Sequence, residues 1–306
     1  MQESLEQTEL GYCSLVSLNA EEDLFATASQ VQVFLLLEYN GAYGYKAFEQ
    51  SNIPENIKEH INQVLSEIPL SKILLLHSRS GLLERGISLF VIKASEQQPA
   101  LYRFLLQNYN ELLDLDIPAI LSGSEEYQEY RRTEPLVTVC TNGRRDFCCA
   151  KFGVPTYNEM LNLAEDTVWQ SSHVGGHRFA PNVFAFPHGI LHGRLQPEDA
   201  AGFLEHVRKG ELDLDHYRGR STYSKPGQAA EYFLRKQTGR LDMEAFHLLE
   251  SEKLPEKNWL FTFGDGNKHY RLAIRREDTG REVWSGCSDQ KTTQVVQYHL
   301  EGYTEE

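Results

Sequence analysis

The apolar run VQVFLLLEY, from Val31 to Tyr39, constrains the fold most. It lacks alternation of polar and apolar residues, which predicts a buried strand. A helix is predicted from near Pro54, because the apolar residues beyond it fall at helical spacing. Those residues are Ile57, Ile61, Val64, Leu65 and Ile68. Two further strands, KILLLHS (Lys72–Ser78) and GISLFVIKA (Gly86–Ala94), are joined by a turn over RSGLLER.

The pattern starts again after an acidic linker, Ser122–Pro135. The second unit has the order strand, helix, strand, hairpin, helix. Its predicted elements are a strand over LVTVC (Leu136–Cys140), a helix from about Cys149 to Ala164, a strand over TVWQSSH (Thr167–His173), a hairpin over Asn182–Leu195 turning at Pro187-His188-Gly189, and a helix opened by Pro197. An interruption of the first helix is predicted at Pro155, since proline is tolerated only in a first turn.

That order of elements is typical of a thioredoxin-like domain. Pro181 stands just before the hairpin, where thioredoxin-like folds keep a cis-proline beside the active-site loop. The first unit is interpreted as a degenerate copy of the same fold from its element order alone. It contains no residue singled out for chemistry, since His60 and His77 are expected to be ordinary surface or core residues.

The C-terminal part is predicted to be a helix near Gln228–Lys236 followed by antiparallel strands. The strands fall on NWLFTFG, HYRLAIRR and TTQVVQYHL, and GDGN (Gly264–Asn267) forms the turn between the first two. We therefore predict an α/β protein of two thioredoxin-like units and a small C-terminal antiparallel β extension. The predicted boundaries are 1–130, 131–218 and 219–306.

Composition limits the partners and the compartment. The 306 residues are 41% hydrophobic, enough for real cores, and 30 Lys and Arg against 44 Asp and Glu give a net charge of −14. Such a charge repels a phosphate backbone and an anionic membrane surface, so neither nucleic acid nor membrane is expected as a partner. No secretory leader or membrane span is evident in the sequence. A cytoplasmic location is therefore expected.

Five cysteines and one pair of histidines carry the chemistry that can be predicted. Cys140, Cys148 and Cys149 are clustered, and His173 and His177 lie four apart around two glycines. An odd number of clustered cysteines suits a metal or redox site better than a disulfide framework. Two thiolates and two imidazoles can hold either zinc or one [2Fe-2S] cluster. The single cysteines, Cys13 and Cys287, are expected to be structural.

The residue spacing around Cys140, Cys148 and Cys149, called here the cysteine loop, does not match a phosphatase, thioredoxin or zinc-ribbon site. A phosphatase loop needs cysteine and arginine six positions apart, but position 146 is aspartate and Arg145 comes one residue early. A thioredoxin dithiol or a zinc ribbon would need C-x-x-C, which the cysteine loop lacks, and a Cys148–Cys149 disulfide would close a strained ring. No G-x-G-x-x-G fingerprint for a nucleotide cofactor appears, so reductant is expected from a partner.

The segments CTNGRRDFCCAKFG and HVGGHRFAPNVFAFPHGILHGRL resemble the sucrase/ferredoxin-like family, which carries a thioredoxin-like ferredoxin domain. The resemblance implies that C-x8-C and H-x3-H bind a [2Fe-2S] cluster. The ligands implied here are Cys140, Cys149, His173 and His177, with Cys148 spare. The word sucrase implies no sugar chemistry, since no carboxylate pair for glycoside hydrolysis is identified.

The function expected from these residues is one-electron transfer, by a carrier rather than an enzyme with its own substrate. Histidine ligands are expected to raise the cluster's potential and, where exposed, to couple electron to proton transfer. Arg144, Arg145 and Arg178 are expected to favour the reduced state, with solvation or pairing to carboxylates as the alternative. The redox partner protein is not identified by the sequence. Two alternatives stay open: a structural zinc protein, and a metal-free thiol oxidoreductase using Cys148 or Cys149.

Overall fold

The computed structural model describes residues 11–77, 86–288 and 291–306 and shows a mixed α/β protein with two β-sheets. Its strands are Val33–Glu38 (β1), Ser71–His77 (β2), Ile87–Lys93 (β3), Ala100–Leu106 (β4), Arg131–Arg132 (β5), Leu136–Cys140 (β6), Val168–Ser171 (β7), Val183–Phe186 (β8), Ile190–His192 (β9), Tyr217–Arg220 (β10), His247–Leu254 (β11), Asn258–Gly264 (β12), His269–Trp284 (β13) and Thr292–Glu305 (β14). The α-helices are Cys13–Asn19 (α1), Glu55–Glu67 (α2), Ile117–Ser122 (α3), Phe147–Leu163 (α4), Ala200–Lys209 (α5) and Lys225–Thr238 (α6). Short 3-10 helices cover Tyr109–Asp114, Glu125–Tyr130, His177–Phe179 and Pro197–Asp199.

The first half of the large sheet is built around β1, all six residues of which are buried. Strand β2 pairs with β1 in parallel, β3 pairs with its other edge in antiparallel, and β4 follows β3. Helix α2 buries Ile57 and Ile61 in the core that includes Leu35 and Leu37. The predicted buried strand and amphipathic helix are confirmed, while the turn predicted over RSGLLER lies outside the described residues.

The second half repeats the connectivity of the first. Strand β7 pairs with β6 in parallel, β8 takes the other edge in antiparallel, and β9 follows. The orders β7-β6-β8-β9 and β2-β1-β3-β4 therefore match element by element. Antiparallel pairing of β2 with β7, Leu76 opposite Ser171, joins both halves into one ten-stranded sheet. The division at 130 and 218 stays a prediction.

Helix α4 continues through Pro155, so the predicted interruption there is wrong. Proline removes one backbone donor. The buried face beyond it, which includes Tyr157 and Met160, packs against Val137 and Val139 of β6 and keeps the helix in place. The predicted cis peptide before Pro181 is present.

The predicted linker, Ser122–Pro135, contains more structure than expected. Its 3-10 helix Glu125–Tyr130 buries Tyr127, and the ring of Tyr130 stacks on Phe104 with centroids 4.5 Å apart. Strand β5 then pairs with β4 at the edge of the sheet. These aromatic contacts explain why an acidic segment is ordered here.

The four C-terminal strands form a separate antiparallel sheet in the order β11-β12-β13-β14. The turn predicted over GDGN joins β12 to β13, as expected. Helix α6 covers the sheet, packing Ala230 and Leu234 with Phe261 and Phe263 in one core. Strand β11 and the exact extent of β13 were not predicted from the sequence.

Helix α1 packs between the start of α4 and the C-terminal sheet. Its Cys13 and Val16 lie in one apolar cluster with Val283 and Val295 of β13 and β14. The segment that follows α1 makes a backbone hydrogen bond to β10: the N–H of Thr27 donates to the carbonyl oxygen of Arg218 at 3.1 Å. Among the residues described, no helix has the length and apolar character needed to cross a membrane.

Candidate metal centre

Cys140 and Cys149 meet where β6 gives way to α4. Cys140 is the last residue of β6 and Cys149 the third of α4, and both are fully buried. Gly153, one turn beyond Cys149, allows the close approach, because a Cβ there would overlap the carbonyl oxygen of Cys140. The helix therefore lies directly on the strand end and brings the two sulfurs together.

His173 reaches the same point from β7. Because β6 and β7 are parallel neighbours, with Cys140 opposite Ser171, the loops that follow them leave the same edge of the sheet. The Nδ1 atom of His173 lies 3.6 Å from Cys149 Sγ and 3.9 Å from Cys140 Sγ. All three candidate ligand atoms lie within 4.8 Å of one another.

His177 lies beside this group rather than within it. Its ring centroid is 5.2 Å from that of His173, and its Nε2 is 3.8 Å from Asp146 Oδ2. Its Nδ1 is buried without a hydrogen-bond partner in the described part of the chain. Burial lowers the pKa of His177, against the opposing charge of Asp146, so the ring is neutral at pH 7, the form that binds metals.

The pKa values of the two buried thiols shift in opposite directions. A hydrogen bond from Cys149 holds the pKa of the Cys140 thiol well below its usual range, although burial opposes this. The same bond raises the pKa of Cys149. The lowered pKa favours the thiolate of Cys140, the form that binds metals, and a bound cation would favour loss of the proton from Cys149.

The histidine loop is held by three buried or half-buried side chains. Lys72 Nζ donates to Val174 O at 2.9 Å, Arg218 Nη1 to Gly175 O at 3.1 Å, and Asn182 Nδ2 to Gly176 O at 3.0 Å. Gly176 has a φ of 68°, in the left-handed region that favours glycine. Three successive carbonyls thus have fixed donors, which sets the position of both histidines.

Lys72 and Arg218 are positive charges that sequence reasoning missed. Burial lowers the pKa of Lys72 to about 8 and of Arg218 to about 9, and the charge of Cys140 acts in the opposite direction on both. Lys72 lies on β2 and Arg218 on β10, so no local motif relates either of them to the cysteine loop.

Of the three arginines expected near the site, Arg178 follows the alternative interpretation, pairing with a carboxylate. Arg178 forms a bidentate ion pair with Glu22, with Nη2 2.8 Å from Oε1, so its charge is compensated. The guanidinium of Arg145 lies 4.2 Å from the ring centroid of Tyr45, and Arg144 is exposed. For Arg178, pairing with a carboxylate is therefore the correct interpretation.

A second group of sulfurs was not foreseen. Cys13, Cys148 and Cys287, with Asp146, have candidate ligand atoms within 4.8 Å of one another. Cys148 is buried, as expected, but Cys13 and Cys287 are not isolated structural residues. Hydrogen bonds from Cys13 and then Cys287 lower the pKa of Cys148 to about 4. Asp146 belongs to this second group and also lies 3.8 Å from His177. The sequence signal for it is its place two residues before Cys148, where its side chain caps α4.

The predicted donors fit an iron-sulfur cluster in chemistry. Two thiols and the imidazole of His173 converge, the imidazole of His177 lies beside them, and the sulfurs are shielded from water. The same four groups also satisfy tetrahedral zinc. Three of the four predicted residues form one group and His177 adjoins it.

Curated relatives match part of the chain. Altered inheritance of mitochondria protein 32 from Meyerozyma guilliermondii is 30% identical over 135 residues, 40% of this chain and 46% of the relative. The protein of the same name from Debaryomyces hansenii is 31% identical over 105 residues, 31% of this chain and 38% of the relative. The chain thus spans less than half the length of these relatives.

One solved structure also matches. It is a variant of the thioredoxin-like [2Fe-2S] ferredoxin from Aquifex aeolicus, 18% identical, with a TM-score of 0.26, covering 27% of this chain and 96% of that one. The sequence profile of the sucrase/ferredoxin-like family matches residues 3–219, which is well over half of the chain. The protein described here belongs to the sucrase/ferredoxin-like family.

Proposed function

We propose that this protein carries single electrons on a [2Fe-2S] cluster bound by Cys140, Cys149, His173 and His177. The observation that carries the proposal is the convergence of two buried thiols and His173 within 4.8 Å at adjacent strand ends, with His177 beside them. Membership of the sucrase/ferredoxin-like family supports the choice of iron over zinc.

The cluster would supply reversible one-electron chemistry, and the protein would supply its ligands and surroundings. Burial of both cysteines excludes water from the sulfurs. The hydrogen bonds to Val174 and Gly175 fix the histidine loop and would keep it in one geometry when the cluster changes oxidation state. A site that changes little between states transfers electrons with little reorganisation.

The charges around the site favour a higher potential than that of an all-cysteine cluster. Two imidazole ligands in place of thiolates would make the cluster less negative, and Lys72 and Arg218, whose charges act on Cys140, hold the neighbouring histidine loop. Both effects stabilise the added electron. Proton coupling through the histidines stays a prediction.

The domain organisation, the redox partner and the cellular compartment are also proposed. The matching connectivity of the two halves supports two thioredoxin-like units, the second a ferredoxin, with the antiparallel sheet as an extension. A redox partner protein would reach the cluster through the half-buried histidine edges, and a net charge of −14 suits a partner with a basic contact face. A reducing compartment such as the cytoplasm would keep the thiols available.

Anaerobic purification tests the assignment. We expect about two irons and two acid-labile sulfides per chain, and visible absorption that bleaches on uptake of one electron and returns on oxidation. Stoichiometric zinc bound at Cys140, with no sulfide in the protein, would instead support the structural zinc alternative. A colourless, metal-free protein with thiol-exchange activity would support the oxidoreductase alternative instead.

Replacing His177 by cysteine should lower the midpoint potential by on the order of 100 mV, because a thiolate adds negative charge to the cluster. Redox titration of the reconstituted variant measures the shift. His206→Cys is the control, since His206 of α5 pairs with Glu211, which lies just beyond the helix, and takes no part in the proposed site. Equal potentials in wild type and His177→Cys would remove His177 from the ligand set.

A further inference from the structure

Three cysteines without a role in the proposed cluster meet around Asp146. Cys148 Sγ lies 3.5 Å from Cys13 Sγ and 3.2 Å from Cys287 Sγ. Cys13 Sγ lies 3.7 Å from Asp146 Oδ1. These four residues come from α1, the start of α4 and the segment after β13, so the group joins positions up to 274 residues apart.

Polar hydrogens point at the sulfurs as they do in thiolate sites. Ser14 Oγ donates to Cys148 Sγ at 3.3 Å, and the backbone N–H of Cys13 donates to Cys287 Sγ at 3.3 Å. Such bonds stabilise negative sulfur and orient it toward a metal. The group therefore has both the ligands and the outer contacts of a metal site.

The carboxylate of Asp146 is positioned from two sides. Its Oδ1 accepts the N–H of Cys148 at 2.9 Å and its Oδ2 that of Cys287 at 2.8 Å. A carboxylate has about four lone-pair positions, so one on Oδ1 stays available toward the sulfurs. Asp146 thus fixes the backbone of two cysteines and offers an oxygen ligand.

We propose that Cys13, Cys148, Cys287 and Asp146 form a structural zinc site, separate from the proposed iron-sulfur site. Three sulfurs and one oxygen make the four-ligand set that zinc prefers. Zn–S bonds of about 2.3 Å separate tetrahedral sulfurs by roughly 3.8 Å. The sulfurs described here would move apart by a few tenths of an ångström to admit the ion.

A disulfide accounts for the group less well. An S–S bond is about 2.05 Å long, so Cys148 and Cys287 at 3.2 Å are not bonded. Oxidation would join two sulfurs and leave the third unpaired. Zinc uses all four groups and requires no oxidant.

Zinc would also hold the segment around Gly286 and Cys287 against His177. Gly286, next to Cys287, lies so close that a Cβ there would be 2.8 Å from His177 Nε2. Zinc binding to Cys287 would hold this segment against α1 and α4. A half-buried Cys287 also leaves an entry path for the ion, which the fully buried Cys13 and Cys148 do not.

Metal analysis of the full-length protein, purified anaerobically and incubated with Zn²⁺ and a weak chelator, tests the proposal. We expect one zinc per chain in addition to iron, with the zinc content falling at least about tenfold in Cys287→Ser and Cys13→Ser while iron and visible absorption are kept. Cys140→Ser is the matched control and should lose iron but keep zinc. Retained iron absorption shows that a zinc-deficient variant has folded.

Protein produced with Co²⁺ in place of Zn²⁺ provides a second measurement without relying on a variant. Thiolate-to-cobalt absorption should appear in wild type and be absent in Cys287→Ser. Absence of zinc from wild type, zinc unaffected by Cys287→Ser, or a Cys148–Cys287 disulfide found by mass spectrometry would each overturn the proposal. Zinc lost in Cys287→Ser from a protein without iron would support this site and refute the iron-sulfur cluster.

Discussion

Cys149→Ser is expected to reduce cluster iron at least about tenfold, whereas Cys148→Ser should leave it unchanged. The two residues are adjacent in the first turn of α4 and equally buried, so they form a matched pair. Only Cys149 points toward His173, at 3.6 Å, while Cys148 faces Cys13 and Cys287. Iron and sulfide analysis with the visible spectrum measures the difference.

The zinc content of the same two proteins gives an internal control. Cys148→Ser should lose zinc and keep iron, and Cys149→Ser should lose iron and keep zinc. The metal that each variant retains then shows that the variant has folded. Loss of iron in Cys148→Ser with full retention in Cys149→Ser would mean that the wrong sulfur has been assigned to the cluster.

Glu231→Ala is expected to lower the free energy of unfolding by about 3–5 kcal/mol, because it leaves two buried arginines without a counter-charge. Glu231 Oε1 lies 2.9 Å from Arg220 Nη2 and 3.2 Å from Arg235 Nη2, with all three side chains buried. Tyr217 also donates to it at 2.7 Å. Denaturant unfolding of the two proteins measures the loss.

Glu205→Ala is the control for that experiment, since Glu205 makes only exposed, solvent-screened ion pairs and its removal should leave the free energy of unfolding nearly unchanged. Equal losses in the two variants would contradict the argument.

Lowering the pH should destabilise the wild-type protein, because it protonates the same carboxylate, that of Glu231. Burial would raise the pKa of Glu231, but the charges of Arg220 and Arg235 outweigh it and lower the pKa from 4.5 to about 2. Its contribution is therefore complete above about pH 4.5 and is lost as the pH falls toward 2. The pH dependence of unfolding between these values should weaken in Glu231→Ala.

Local patterns predicted much of the fold. The unbroken apolar run of β1, the apolar face of α2 and the turn between β12 and β13 all follow from residue spacing within single segments. The antiparallel pairing of β2 with β7 could not be predicted, because it joins segments about a hundred residues apart without a local signal.

Prediction of the site has the same limit: local spacing is visible in the sequence, whereas long-range contacts are not. The spacing within the cysteine loop and the histidine loop identified candidate ligands, and the parallel pairing of β6 with β7 explains why those loops meet. Lys72 and Arg218 act through long-range contacts with backbone carbonyls, which no sequence motif encodes. The sequence predicts only structural roles for Cys13 and Cys287, because their proximity arises only when α1 packs on β13.

The cluster ligands are tested most directly by pulsed EPR of the reduced protein labelled with nitrogen-15 histidine. We predict two strongly coupled histidine nitrogens in wild type and one in His177→Cys, as expected if His173 and His177 both bind iron. A reduced cluster without histidine couplings, or one that keeps both couplings in His177→Cys, would contradict the ligand set.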